Sequence, residues 1–217
     1  MQSWIHLGGG IYAADRADEG FLKVEGYTFQ GPVLELDGSI FGGSALRFLG
    51  TEGMHTAEDG LTEGWLSFAD AEFPELKLTA VLQTRKGMAR VRFVLTGDVD
   101  EEVGVGAGDA VTLSALRLAE TPELFAPVDG VLLPLSAADG LVPYGALAVK
   151  TAQGALILGG GDFFAASHDE DDFSLASVVR FDDDHSLKNG GAVKTDWLTM
   201  TAAEDLAAAM AQADWLK

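Results

Sequence analysis

The sequence predicts an all-β protein, a sandwich or barrel of about a dozen or more short strands, that closes on one α-helix. Three observations point there. Short apolar runs recur along the 217 residues, with Gly, Asp or Pro in most of the gaps between them. Period-two alternation is clearest over ELKLTAVLQT (75–84) and MARVRFVLTG (88–97). The last segment, TAAEDLAAAMAQADWLK (201–217), changes to a helical period.

Taken in order, the first strand candidates are SWIHL (3–7), GFLKVEGYTF (20–29), PVLELDG (32–38), SALRFLG (44–50) and GWLSFA (64–69). A polar, Gly-flanked loop, TEGMHTAEDGLTEG (51–64), is expected before the last of these. The runs 75–84 and 88–97, separated by Arg85, Lys86 and Gly87, read as a β-hairpin. In its second arm Val91, Phe93 and Leu95 share a face, and Arg90, Arg92 and Val94 take the other. One face is therefore expected to be buried and the other at least partly wet.

GDVDEEVGVGAGDA (97–110) is the most loop-like stretch, and AVTLSALRLA (110–119) and GVLLPL (130–135) follow as strands. YGALAVKT (144–151) and GALILGG (154–160) form a second expected hairpin, turning at Ala152–Gly154. FSLASVVRF (173–181) is a strand flanked by two acidic turns, ASHDEDDFS (166–174) and FDDDHS (181–186), and AVKTDWLTM (192–200) is the last strand. A helix is then predicted from Thr201 onward. Thr201 and Glu204 fit a capping box, and Leu206, Ala209, Met210, Ala213 and Leu216 form one apolar stripe. With no stop signal after it, this helix is expected to continue into something else.

Composition narrows the function classes. Fourteen Lys+Arg against 34 Asp+Glu leave a formal charge of −20, a surface that repels phosphate backbones and anionic headgroups. Neither nucleic acid nor membrane is expected as a partner. Without cysteine there is no disulfide, thiolate metal site or thiol nucleophile. MQSWIHLGGG lacks the basic and apolar regions of a signal peptide, and no run is long enough for a spanning helix, so a cytoplasmic location is expected.

Few motifs carry chemistry. The Gly-x-Gly-x-Gly string in VGVGAGDAVTL (103–113) precedes a strand and not a helix, so it reads as a loop and not as a dinucleotide site. No P-loop, G-x-S-x-G elbow, H-E-x-x-H pair or EF-hand spacing occurs, and no cofactor is expected. If a divalent cation binds, His168, Asp169 and Asp171 are the first choice, because they put oxygen and imidazole ligands in one turn. Trp4, Trp65, Trp197 and Trp215 are either core residues or sugar-stacking platforms. Trp65, next to the 51–64 loop, is the best platform candidate, whereas Trp197 is expected in the core.

The order of strand, GALILGG strand, acidic turn, strand, then Gly190, Gly191, Val193, Thr195, Asp196, Trp197 and Leu198 before Asp205, Leu206, Ala209, Met210, Asp214 and Trp215 resembles a known arrangement. It is similar to the end of the N-terminal β-supersandwich domain of glycoside hydrolase family 36-like proteins, the α-galactosidase and raffinose synthase group. The resemblance implies a two-sheet antiparallel, galactose-mutarotase-like supersandwich over residues 1–200. Residues 201–217 would then be a connector helix toward a catalytic (β/α)8 barrel. That barrel supplies both catalytic carboxylates of the family's retaining mechanism, so no catalytic residue maps onto this chain, and by itself it should be inactive.

The expected role is to support the barrel and lend a loop to its sugar pocket, with Trp65, His55 and Glu52 as the carbohydrate contacts. Expected partners are a carbohydrate, the barrel of the same protein and, through the helix stripe, a second copy of the chain. Two alternatives stand beside it. A free-standing carbohydrate-binding sandwich would expose an aromatic face around Trp65 and fold its helix back onto its own sheet. A sugar epimerase on the same scaffold would need a His and a carboxylate facing one sheet.

Overall fold

The computed structural model describes residues 4–8, 11–14, 21–41, 46–70, 73–97, 104–106, 108–118, 122–129, 131–135, 140–142, 145–169, 172–181 and 185–213. Their strands are β1 (Trp4–Gly8), β2 (Ile11–Ala14), β3 (Leu22–Val24), β4 (Tyr27–Leu36), β5 (Ser39–Phe41), β6 (Leu46–Thr56) and β7 (Thr62–Asp70). Next come β8 (Leu76–Arg85), β9 (Met88–Gly97), β10 (Gly104–Val105), β11 (Ala110–Leu118), β12 (Glu123–Val128), β13 (Val131–Leu135) and β14 (Gly140–Val142). The last are β15 (Ala146–Thr151), β16 (Gly154–Gly159), β17 (Phe163–Asp169), β18 (Asp172–Arg180), β19 (His185–Ser186), β20 (Ala192–Lys194) and β21 (Leu198–Ala203), followed by helix α1 (Leu206–Ala213).

Two large antiparallel sheets face each other. One has nine strands in the order β1-β2-β3-β4-β11-β18-β17-β14, with β5 beside β4. The other has ten, in the order β13-β12-β15-β16-β21-β9-β8-β7-β6, with β20 beside β9. This is the expected all-β, two-sheet supersandwich with one helix at its end. The alternation of β8 is complete, every second residue being buried, because one face meets the core and the other meets solvent. Phe68, Leu78, Leu82, Val91, Phe93 and Leu95 point inward from the ten-stranded sheet and are at most 1% exposed. Phe21 reaches across to them, its ring 6.0 Å from Phe68 and 6.3 Å from Phe93.

Both expected hairpins form, β8–β9 with Arg85 opposite Met88 and β15–β16 with Thr151 opposite Gly154. Four expectations are corrected. The 51–64 segment is not a loop: β6 and β7 pair through it as far as Thr56 opposite Thr62, and only the tip at 57–61 turns. The hydrogen bond between the Thr56 and Thr62 hydroxyls and the Arg85–Asp59 ion pair hold that tip. AVKTDWLTM is not one strand but two, β20 and β21, with Thr195 to Trp197 between them. The acidic stretch 166–174 is mostly strand, since β17 runs through Asp169 and β18 resumes at Asp172.

The fourth correction concerns the helix start. Thr201 lies inside β21, is 1% exposed and pairs with Ile157 and Met88, so it caps nothing. The cap is Asp205, whose Oδ1 accepts from the Ala208 N–H at 2.8 Å. Sheet pairing wins over the capping box because β21 fills the gap between β16 and β9 and its Met200 and Ala202 complete the core. From that cap α1 folds back onto the outer face of its own sheet. Leu206, Ala209, Met210 and Ala213 pack over Ala148, Ala155 and Ile157, while Leu216, Trp215 and Asp214 lie outside the described residues.

Candidate functional site

The part of that outer face not covered by α1 carries the polar and aromatic side chains of interest. Because Val91 and Phe93 are turned into the core, Arg90 and Arg92 stand on the opposite side of β9. The register then aligns two rows. Trp65, Val81 and Arg92 form one; Glu63, Gln83, Arg90 and Thr199 form the next, running across β7, β8, β9 and β21. Within the second row the side chains are bonded in series: Gln83 Nε2 donates to Glu63 Oε2, and Arg90 Nε donates to Gln83 Oε1 at 2.6 Å.

Trp197 lies over both arginines. Its ring centroid is 4.6 Å from the Arg90 guanidinium carbon and 4.7 Å from that of Arg92, within the range in which a cation is drawn to an indole face. Local backbone structure places it. Thr195 is tied to Phe93 in both directions: the Thr195 N–H donates to Phe93 O at 2.9 Å, and Thr195 Oγ1 accepts from the Phe93 N–H at 3.0 Å. Gly160 admits the Trp197 carbonyl, since a Cβ at that left-handed position would fall 1.8 Å from it. Trp197 is thus half-buried on the outer face and not in the core, which corrects the expectation from sequence.

The charge of this face is unbalanced. Among the described residues neither Arg90 nor Arg92 forms an ion pair, and Arg92 Nε is buried without a hydrogen-bond partner. Glu63 reaches Arg90 only through the neutral Gln83 amide. Chemically the face offers guanidinium N–H donors, an amide, a carboxylate, and two indole rings, of which Trp65 is 38% exposed. Among the described residues no proton-transfer pair is bonded there.

The three expected carbohydrate contacts do come together, on the β6–β7 hairpin. Glu52 lies directly opposite Trp65, and His55 opposite Glu63. The Trp65 ring rests on Gly53, whose added Cβ would come 2.7 Å from ring carbons. Glu52 and His55 are exposed, and their side chains make no hydrogen bond among the described residues. Of the expected metal ligands only backbone positions are described. His168 and Asp169 belong to β17, Asp171 lies outside the described residues, and no cluster of potential ligands occurs among those that are described.

Away from this face, a concavity of about 750 Å³ opens between the β4–β5 turn, Phe73 and the Gly-rich 104–109 stretch. Phe41 and Phe73 meet edge-on in its wall at 5.7 Å. Asp109, buried there, accepts from the Asp37 N–H and from the Gly106 N–H, each at 2.8 Å, so both its oxygens are taken by backbone. That is a structural clasp, and it explains why the Gly string turns and feeds β11.

Sequence reasoning missed Glu63, Gln83, Arg90, Arg92 and Trp197 as a group. The alternation of β9 did put its arginines on the wet face, but which strands lie beside β9, and in what register, is not a local property.

No protein-family model matches the chain, and comparison with curated proteins finds no match in sequence. Among solved structures, the glycoside hydrolase family 36 α-galactosidase AgaA of Geobacillus stearothermophilus, solved with raffinose, is similar in fold at a TM-score of 0.59 and 10% identity. The match covers 94% of this chain and 41% of that one. AgaB of the same organism matches at 0.53 and 12% identity, over 80% of this chain and 30% of its own. A galactose mutarotase related enzyme of Lactobacillus acidophilus matches at 0.50 and 12% identity, over 94% of this chain and 97% of that one. The chain therefore has the galactose-mutarotase-like sandwich fold, and it spans less than half the length of the α-galactosidases.

Proposed function

We propose that this chain is a carbohydrate-recognising β-supersandwich without catalytic residues of its own, and that sugar binds on the open face of the ten-stranded sheet. The observation that carries this reading is the Trp197 ring held over Arg90 and Arg92 beside the Glu63–Gln83–Arg90 ladder. Sugar rings present C–H faces that pack on indole and hydroxyls that need donors and acceptors. Trp65 lies two strands from Arg92, about 10 Å away, a span suited to a sugar of one or two rings. Glu52 and His55 extend the same face at its edge. The α-galactosidase solved with raffinose has the same sandwich, which supports a carbohydrate as the ligand class.

Titration with D-galactose and raffinose, followed by NMR of the indole N–H groups, tests it. Both sugars should shift the Trp65 and Trp197 signals, and replacing either ring by Leu should weaken binding by about tenfold. Sugar at millimolar concentration leaving both signals in place would overturn the reading.

One observation favours a wider context. The similarity to AgaA covers nearly all of this chain but less than half of that enzyme. In this second reading the chain is the domain that precedes the barrel of an α-galactosidase-like glycoside hydrolase, supports that barrel and helps shape its pocket. Reading the gene beyond Lys217 and assaying its product on p-nitrophenyl α-galactoside tests this. Hydrolysis by a longer product, with residues 1–217 inert, is expected; a stop codon directly after Lys217 would leave the free-standing binding module. The packing of α1 onto its own sheet is what the free-standing module predicts.

A further inference from the structure

The outer-face site has a charge that no described residue pairs. In a protein with 34 acidic and 14 basic residues, two arginines stand side by side on β9 with no ion pair among the described residues. By contrast Arg85 and Lys150 each hold a carboxylate. A guanidinium cannot shed its charge near neutral pH, and two on one face of a strand repel each other. The contact with Trp197 supplies neither guanidinium with an oxygen acceptor. The N–H edges are what a bidentate anion uses, and the terminal nitrogens of both residues make no hydrogen bond among the described residues.

The Glu63–Gln83 amide relay also has a reading here. Gln83 turns its oxygen to Arg90 Nε and its nitrogen to Glu63. It thereby orients Arg90 while keeping the carboxylate one residue away from the guanidinium it would otherwise neutralise.

We infer that the ligand of this face is an anionic sugar, a uronate or a sugar phosphate, whose charged oxygens are held by Arg90 and Arg92 at the edge of the Trp197 ring. This rests on the carbohydrate-binding reading and names its ligand class. Arg90 and Arg92 are the specificity residues, Trp197 is the shared platform, and Trp65 receives the uncharged end.

Calorimetric titration of the full chain with D-galactose, D-galacturonate, D-galactose 6-phosphate and inorganic phosphate tests the inference. One of the two anionic sugars should bind at least about tenfold tighter than galactose, the margin expected for a charge-assisted hydrogen-bonded pair. Which of the two it is separates a carboxylate from a phosphate site. In Arg92→Gln the advantage of the anionic sugar over galactose should fall to about threefold or less, and an unchanged far-UV circular dichroism spectrum shows that the variant is folded. Galactose binding as tightly as both anionic sugars would overturn the inference and leave the carbohydrate reading intact. Inorganic phosphate matching the sugar phosphate would overturn it in favour of a bare anion site. An undiminished advantage in both Arg92→Gln and Arg90→Gln would also overturn it. If no sugar binds at all, the carbohydrate reading itself has failed.

Discussion

At the scale of single residues, the site depends on glycines and one aspartate as much as on its own side chains. Gly160 has a φ of +77°, and only the hydrogen it carries in place of a Cβ leaves room for the Trp197 carbonyl. Gly160→Ala should cost at least the 1–2 kcal/mol of a left-handed L-residue, roughly, and displace the indole. Its signature is a lowered Tm together with a changed near-UV circular dichroism. Gly53, with a φ of +64°, lies under the Trp65 ring. Gly53→Ala should therefore weaken sugar binding by lifting that ring, at a similar cost in stability; an unchanged Kd for galactose would count against Trp65 as a platform. Asp109 is a different kind of residue, with each oxygen accepting a backbone N–H. Asp109→Ala strands both donors and should destabilise by about 1–3 kcal/mol, read from urea unfolding, without altering the outer face. Of these residues, Asp109 and the glycines were visible in the sequence only as turn chemistry. Their partners come from other strands, and local spacing says nothing about those.

At the scale of elements, α1 and β21 show local preference yielding to tertiary pairing. Thr201 to Ala203 begin a segment with strong helical composition, yet they are extended. Leaving β9 and β16 unpaired would strand a ladder of backbone groups, and β21 satisfies both. The helix starts where that ladder ends, and Asp205 caps it. Asp205→Ala should cost about 1 kcal/mol and raise amide exchange across Leu206–Ala213, with little effect on the sheets. The 51–64 part of the β6–β7 hairpin reads as a loop from sequence because Gly, Glu, Asp and Thr dominate it. Pairing with β8 supports β7, and β6 continues beside it with both faces exposed beyond Gly50. As an edge strand it is free to carry polar residues, which is why Glu52 and His55 sit there without disturbing any core.

At the scale of the whole molecule, one core fills the space between two sheets, and a smaller cluster under α1 closes part of the outer face. A formal charge of −20 is spread over this sandwich, and self-repulsion of like charges destabilises a compact state. Raising NaCl from about 0.01 to 0.15 M shortens the screening length from about 30 to 8 Å. Tm should therefore increase over that range; a fall would mean that local ion pairs such as Arg85–Asp59 outweigh the net charge. The same charge makes the Arg90–Arg92 pair more telling, because the surrounding field offers no general attraction for anions. Any that bind there must be held by local contacts.

The sequence alone determined that this chain is an all-β protein, a sandwich or barrel, with a helix after its strands, which strands alternate, and that β9 turns its arginines outward. Those are properties of period two and period 3.6, written in each segment separately. Only the tertiary structure decided that β21 lies between β16 and β9, that Trp197 arrives over Arg90 and Arg92, and that Gln83 stands between Arg90 and Glu63. Strand order and register are set by how all faces bury together across distant segments. A binding face assembled from four strands therefore exists only once the sheet has closed.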